Sequence, residues 1–171
     1  WRDGSRDDAQ LFDTHAYFLS GLVALYGVTL DNKYLSFSIE VADRMIAAFY
    51  DKEAGGFYQS TGTKDLILRL KEDYDGAEPS GNSVAVYALL KLAAITGNKS
   101  YREVADKTLS YFSGRMKKMA LAVPYMLSAA DFASREPNRV VIAGDVNSTK
   151  AKELLRAVHS VYQPHKVVLG T

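Results

Sequence analysis

Thr29-Leu30-Asp31-Asn32-Lys33-Tyr34 has a counterpart 67 positions later in Thr96-Gly97-Asn98-Lys99-Ser100-Tyr101. In each copy a threonine closes one stretch of helical periodicity, Asp or Asn stands in the break, and a tyrosine opens the next stretch. The echo runs on, since Ser38, Ala42 and Met45 recur as Ala105, Leu109 and Phe112. A break this short makes the flanking helices antiparallel neighbours, an αα-hairpin. Repeated αα-hairpins bury their apolar faces by stacking, which builds a solenoid or a closed toroid.

Working outward from the first break, Asp8 to Gly27 reads as a helix. Its apolar positions Leu11, His15, Phe18, Leu22, Leu25 and Tyr26 lie three or four apart, widened by Phe12, Leu19 and Val23. Lys33 to Tyr50 follows, with Leu35, Ile39, Ala42, Met45, Ile46 and Phe49 inward. Around the second break lie helices over Pro79 to Thr96 and Ser100 to Ser113. Pro79 suits a first turn, because its missing N–H is not needed there. A fifth helix spans Lys117 to Ser134, and Pro124 kinks it or marks its real start. Glu53-Ala54-Gly55-Gly56 is a turn signal, and Phe57–Ser60 and Leu66–Leu70 flank a five-residue loop, predicting a β-hairpin over about 56–70. In the C-terminal part, Arg139–Ala143, Thr149–Tyr162 and Lys166–Leu169 read as strand, helix and strand, a βαβ unit that requires parallel pairing. Gly144-Asp145 after its first strand is one glycine in a turn, far short of a dinucleotide fingerprint.

Composition narrows the functional classes. The 171 residues are 47% hydrophobic and 24% charged, with 21 Lys and Arg against 20 Asp and Glu. A net charge of +1 argues against a nucleic-acid partner, which calls for a basic excess. With no cysteine, the chain has no disulfide scaffold, zinc-thiolate site or thiol nucleophile of its own. No apolar run approaches the ~20 residues of a membrane span, so no membrane partner is expected. No signal peptide is visible, and the expected location is cytoplasmic.

The densest chemistry lies in Asp73-Tyr74-Asp75-Gly76-Ala77-Glu78-Pro79-Ser80-Gly81-Asn82-Ser83. Glu78 stands just before a helix, where the dipole favours its charged form, whereas deep burial would make it an acid. Gly81 in the first helical turn has no propensity reason to be there, so a neighbouring helix or a ligand approaches its backbone. The bland alternative is a well-capped helix start, with Asp75 closing a turn, Ser80 or Ser83 capping and Asn82 holding a loop carbonyl. A second cluster is Asp13-Thr14-His15-Ala16-Tyr17. Asp13 and Tyr17 share a helix face; His15 falls on another, where a histidine is more often a bonded core residue. Carboxylates brought together on adjacent helices suit acid–base work on a sugar or similar polyol. The candidate catalytic residues are therefore Glu78, Asp75 and Asp13, and the candidate substrate contacts are His15, Tyr74, Asn82 and Tyr17. Trp1, Phe57, Tyr58 and Tyr74 could stack on sugar faces or serve as packing plugs. His159 and His165 lie apart in the βαβ unit. No metal-ligand spacing is present, and no cofactor is expected.

Asp75–Ser83 resembles the signature of the YyaL / spermatogenesis-associated thioredoxin-like family. Asp13-Thr14-His15-Ala16-Tyr17, Gly55-Gly56-Phe57-Tyr58 and Val140-Val141-Ile142-Ala143-Gly144 support the match, and His15 stands where that family more often has tyrosine. The resemblance implies an N-terminal thioredoxin-like domain joined to a toroid of six helical hairpins, similar to N-acylglucosamine epimerases and six-hairpin glycosidases. It implies that this chain is a fragment, truncated at both ends and lacking the thioredoxin-like domain. The expected fold is then mostly α: part of a six-hairpin αα-toroid over 1–135, a β-hairpin insertion, and a small βαβ unit over 136–171. The expected function is carbohydrate-active or epimerase-like chemistry, the alternative being a non-catalytic binding or scaffold module. Expected partners are a sugar-like small molecule, the rest of the toroid and the thioredoxin-like domain; uncovered helix flanks would favour self-association of the fragment.

Overall fold

A computed structural model describes residues 10–61 and 69–171. Its elements are α1 (Phe12–Thr29), α2 (Asn32–Phe49), α3 (Gly81–Thr96), α4 (Lys99–Lys118), α5 (Pro124–Ala133), β1 (Asn138–Ile142), α6 (Thr149–Ser160) and β2 (Lys166–Gly170).

The two breaks are the same device built twice. Each first helix ends on a left-handed residue, Leu30 at φ 55° and Gly97 at φ 72°, whose N–H returns to Tyr26 and Ala93 carbonyls. Thr29 and Thr96 hydroxyls donate back to Leu25 and Leu92 carbonyls and accept the Asp31 and Asn98 N–H groups. Asp31 and Asn98 then cap the following helices by accepting from Lys33 and Ser100 N–H. The repeat therefore encodes hydrogen bonds rather than generic amphipathicity.

α3 packs on α1, α4 and α5, while α2 packs on α1. This places α1, α3 and α5 in an inner row and α2 and α4 in an outer one, the layering of a segment of an αα-toroid. α3 is buried along most of its length. The core runs through Phe12, Leu19, Met45, Phe49, Phe57, Leu89 and Met126. Burial of such side chains contributes about 1.5–3 kcal/mol each before chain entropy is set against it.

β1 and β2 pair in parallel from Asn138↔Lys166 to Ile142↔Gly170. With α6 they complete the expected βαβ unit, which seats on the C-terminal ends of the inner helices. Tyr26, Leu30, Ile142, Leu155 and Val168 form a second apolar cluster there. Arg139 donates to the Ala94 carbonyl and His159 to that of Gly27. Gly144 at φ 111° and the Asp145 bond to Asn147 N–H simply turn the chain into α6, which Ser148 caps.

Several expectations are corrected. The buried stripe of α1 is Phe12, Ala16, Leu19, Leu22, Val23 and Tyr26, whereas Leu11, Phe18 and Leu25 are exposed. The helix is covered by α2 on one side and α3 on the other, so no single 3.6-residue stripe marks its buried surface. α4 does not stop at Ser113 but runs on to Lys118. Of the two readings of Pro124, the structure shows the second: it marks the real start of α5, after a 3-10 turn over Ala120–Ala122. Pro79 precedes α3, whose cap is Ser80. The hairpin loop and most of its second arm lie outside the described residues. Of its first arm, Phe57 bridges Tyr50, Ser60 bridges Leu11, and Gln59 N–H donates to the Leu70 carbonyl.

Candidate functional site

The N-terminal ends of α1, α3 and α5 meet at the end of the inner row opposite the βαβ unit. The loop that brings them together is fixed from inside. Asn82 is fully buried; its side-chain amide donates to the Phe57 and Glu72 carbonyls, and its Oδ1 accepts from Phe57 N–H. All its obvious hydrogen-bonding capacity goes to backbone, so it fastens two loop strands to α3 and does not face a substrate. Asp75 is also engaged. Oδ1 accepts from Ser80 N–H at 2.9 Å, and Oδ2 accepts from Tyr125 N–H at 2.8 Å and Met126 N–H at 3.2 Å. It caps α5 from a distant loop and holds the turn into α3, so both its oxygens are engaged by backbone. Ser80 caps α3 through Ser83 N–H and Ser83 Oγ. The well-capped helix start therefore accounts for Asp75, Ser80, Asn82 and Ser83.

It does not account for Asp13 and Glu78. Asp13, in the first turn of α1, lies directly against Gly81. A Cβ added at Gly81 would stand 2.0 Å from Asp13 Oδ1 and 2.8 Å from Phe12 Cε1. The close approach read from Gly81 is thus the α1 helix with its carboxylate. Asp13 Oδ1 is buried without a well-formed hydrogen bond among the described residues. Burial holds its carboxyl above the usual range and the Glu78 charge adds to this, while the Gln59 side chain and the Gly81 N–H oppose it. Glu78 itself is exposed and does not cap α3. Tyr17, one turn along α1, donates its hydroxyl to the Pro79 carbonyl. Its pKa is raised by burial, then by Glu78 and Asp13. A carboxyl inclined to keep its proton, a solvent-edge carboxylate and a phenol are thereby gathered at one helix junction.

The other expected residues are placed elsewhere. His15 donates Nδ1 to the Leu11 carbonyl and packs on Phe49 at 5.1 Å, facing the outer row. Tyr74 is exposed, lies over Gly76 and borders the 3-10 turn at 120–122. Phe57 is a core residue stacked on Phe12 at 4.9 Å. Tyr58 donates to Asp51 Oδ2 and carries the Arg69 guanidinium over its ring. Trp1 lies outside the described residues. His165 stacks on Phe132 and contacts Asp131.

Sequence reasoning missed the groove of about 250 Å³ between α1 and α3. Ser20, Ala24 and Val28 form one wall, Tyr87, Lys91 and Ile95 the other, and Tyr125 closes one end. Its signal was available: Lys91 is the one charge in the run Val84–Ile95.

The family model of glycosyl hydrolase family 47 matches residues 1–149. Spermatogenesis-associated protein 20 of Rattus norvegicus is 37% identical over 160 residues, 92% of this chain and 20% of that protein. Its Homo sapiens counterpart is 35% identical over 159 residues, with the same shares covered. The endoplasmic reticulum mannosyl-oligosaccharide 1,2-alpha-mannosidase of Schizosaccharomyces pombe is 29% identical over 111 residues, 63% of this chain and 20% of that one. The chain thus spans about a fifth of the length of these relatives. They bear out the resemblance carried by Asp75–Ser83, and the inner and outer helix rows agree with the toroid that it implied. The chain belongs to glycosyl hydrolase family 47.

Proposed function

We propose that the junction of α1 and α3 is an acid–base centre acting on a sugar or similar polyol. Asp13 is the proton donor and Glu78 the base at the solvent edge, with Tyr17 beside them. The observation that carries this reading is Asp13 Oδ1, buried, without a well-formed hydrogen bond among the described residues and pressed against a glycine that makes room for it. Fold stability gives no reason to keep a carboxyl there, since an unsatisfied buried acceptor costs about 1–3 kcal/mol. A catalytic acid does, because its pKa has to be raised toward the working pH. A pair of carboxyls, one buried and one at the solvent edge, is a usual means of glycoside cleavage and of proton exchange at a sugar carbon.

Asp75, Asn82 and His15 are positioning residues in this scheme. The rest of the toroid, which would complete the cavity, and a thioredoxin-like domain are the proposed partners of this segment in the longer protein. The mannosidase relative supplies a substrate class to try first. The test is turnover by the full-length protein on α-1,2-linked mannobiose and a panel of free aldoses, with Glu78→Gln and Asp13→Asn as controls. Turnover lost in both variants supports the centre. Turnover unaffected by either, or no binding of any sugar, overturns it and leaves a binding or scaffold role.

A further inference from the structure

The acidic junction and the Lys91 groove lie along the same pair of helices, α1 and α3, and Tyr125 of the groove also bears on the Tyr17 hydroxyl at the junction. On α1, Asp13, Tyr17, Ser20, Ala24 and Val28 recur at helical spacing along a single face. Lys91 stands ten residues past Gly81 on α3, roughly 15 Å from the rim at 1.5 Å per residue. Its side chain leans back toward the rim, with Nζ 4.2 Å from the centroid of the Tyr87 ring one turn nearer the acids. Tyr125, which closes the groove, has its N–H held by Asp75, so the same capping bond that shapes the rim sets this wall.

The polar groups lining the groove divide into occupied and free. Lys166 Nζ donates to the Val158 and Val161 carbonyls, and His159 Nε2 to the Gly27 carbonyl. Among the described residues, Lys91 Nζ has no carboxylate within ion-pair distance, and the Tyr87 and Tyr125 hydroxyls have no hydrogen-bond partner. Burial also lowers the Lys91 pKa and raises those of both tyrosines. Val23, Ala24, Val28 and Ile95 supply apolar walls that cannot satisfy an ammonium. One cation and two tyrosines line a concave, mostly apolar cleft, the usual composition of a small-ligand site.

We infer that the junction and the groove act as one trough and take a polyol bearing an anionic group, a carboxylate or a phosphate, with the anion on Lys91, Tyr87 and Tyr125 and the hydroxylated end at Asp13 and Glu78. The inference rests on the sugar reading of the rim and names its substrate class. The ammonium at one end and the acidic rim at the other fix the ligand's direction, since an anion presented at the rim would meet the Glu78 carboxylate. A neutral sugar would leave the ammonium with the Tyr87 ring alone.

The experiment is calorimetry on the full-length protein with glucose, glucuronate and glucose 6-phosphate. Alongside it, Lys91 acetylation by acetic anhydride is followed by mass spectrometry with and without inorganic phosphate. One or both acidic sugars should bind roughly tenfold tighter than glucose, the order expected for one charge-assisted contact. Which of the two is favoured tells carboxylate from phosphate. Lys91→Met should abolish the preference, and Lys91→Arg should keep most of it. Phosphate should slow Lys91 acetylation, a readout that needs no variant to fold. Equal binding of neutral and acidic sugars, or a preference that survives Lys91→Met, overturns the inference while the sugar reading stands. Phosphate protection of Lys91 with no sugar bound retains the anion site and overturns the sugar reading instead.

Discussion

Asp75→Asn separates positioning from chemistry at this junction. The carboxylate accepts three backbone N–H groups, from Ser80 on one oxygen and from Tyr125 and Met126 on the other. An asparagine can answer one side with its oxygen, but it then presents N–H to N–H on the other. The charge that complements the α5 dipole is lost as well. A charge-assisted bond contributes about 1.5–3 kcal/mol and a cap about 0.5–2 kcal/mol, so the net loss is about 2–3 kcal/mol. At 1.4 kcal/mol per decade, the Tyr125 and Met126 amides should exchange with solvent roughly 30- to 150-fold faster. Amides in the middle of α2, which Asp75 does not touch, should be unchanged. Hydrogen exchange resolved by mass spectrometry or NMR reads both sets in one experiment. Unaltered exchange at Tyr125 and Met126 together with abolished turnover would refute the reasoning, because Asp75 would then be a reacting group rather than a cap.

Gly81→Ala should lower the unfolding temperature, because its Cβ has no room beside Asp13 Oδ1 and Phe12. Overpacking of about 1–3 kcal/mol outweighs a helix gain of up to about 1 kcal/mol, and an unchanged or raised temperature would show that the contact is slack. Asp13→Asn should stabilise the fold, by about 1 kcal/mol at most, while removing turnover, the trade expected at a strained site. Its folded pKa is raised, so its charge weakens the fold as pH climbs through the window above 3.8, and the variant should lose that dependence in a stability–pH series. Asp51 runs the opposite way. Its carboxylate accepts from Lys71 Nζ at 2.8 Å, from Tyr58 and from Glu53 and Ala54 N–H, and is held well below the usual range, first by Lys71. That contribution is complete above pH 3.8 and is lost as pH falls through the lower folded value. Asp51→Asn, which leaves the nearly buried Lys71 the Gly55 carbonyl and the Tyr58 and Tyr111 rings but no carboxylate, should cost about 1.5–3 kcal/mol at neutral pH in a denaturant titration.

The hairpin repeat was legible because its chemistry is local. Thr29, Asp31, Thr96 and Asn98 bond within five residues of themselves, so the break carries its own instructions. The face of α1 was not, because which of its sides meets α2 and which α3 is decided by helices far along the chain. Asp75 shows the same limit within the site. Its partners Tyr125 and Met126 lie 50 and 51 residues away, and no spacing rule connects an acid in a loop to the first turn of a helix that distant. Gly81 was readable as a close approach, though not as an approach by Asp13. Lys91 was readable as a charge in an apolar run, but its meaning required the neighbouring wall of α1.

The centre stands or falls on turnover by full-length protein carrying Glu78→Gln, compared with the unmutated protein on whichever sugar of the panel it converts. Removing a positioned acid or base should lower kcat by roughly 100-fold or more with unfolding unchanged. A variant that turns over at the original rate would contradict the account, whatever it did to binding.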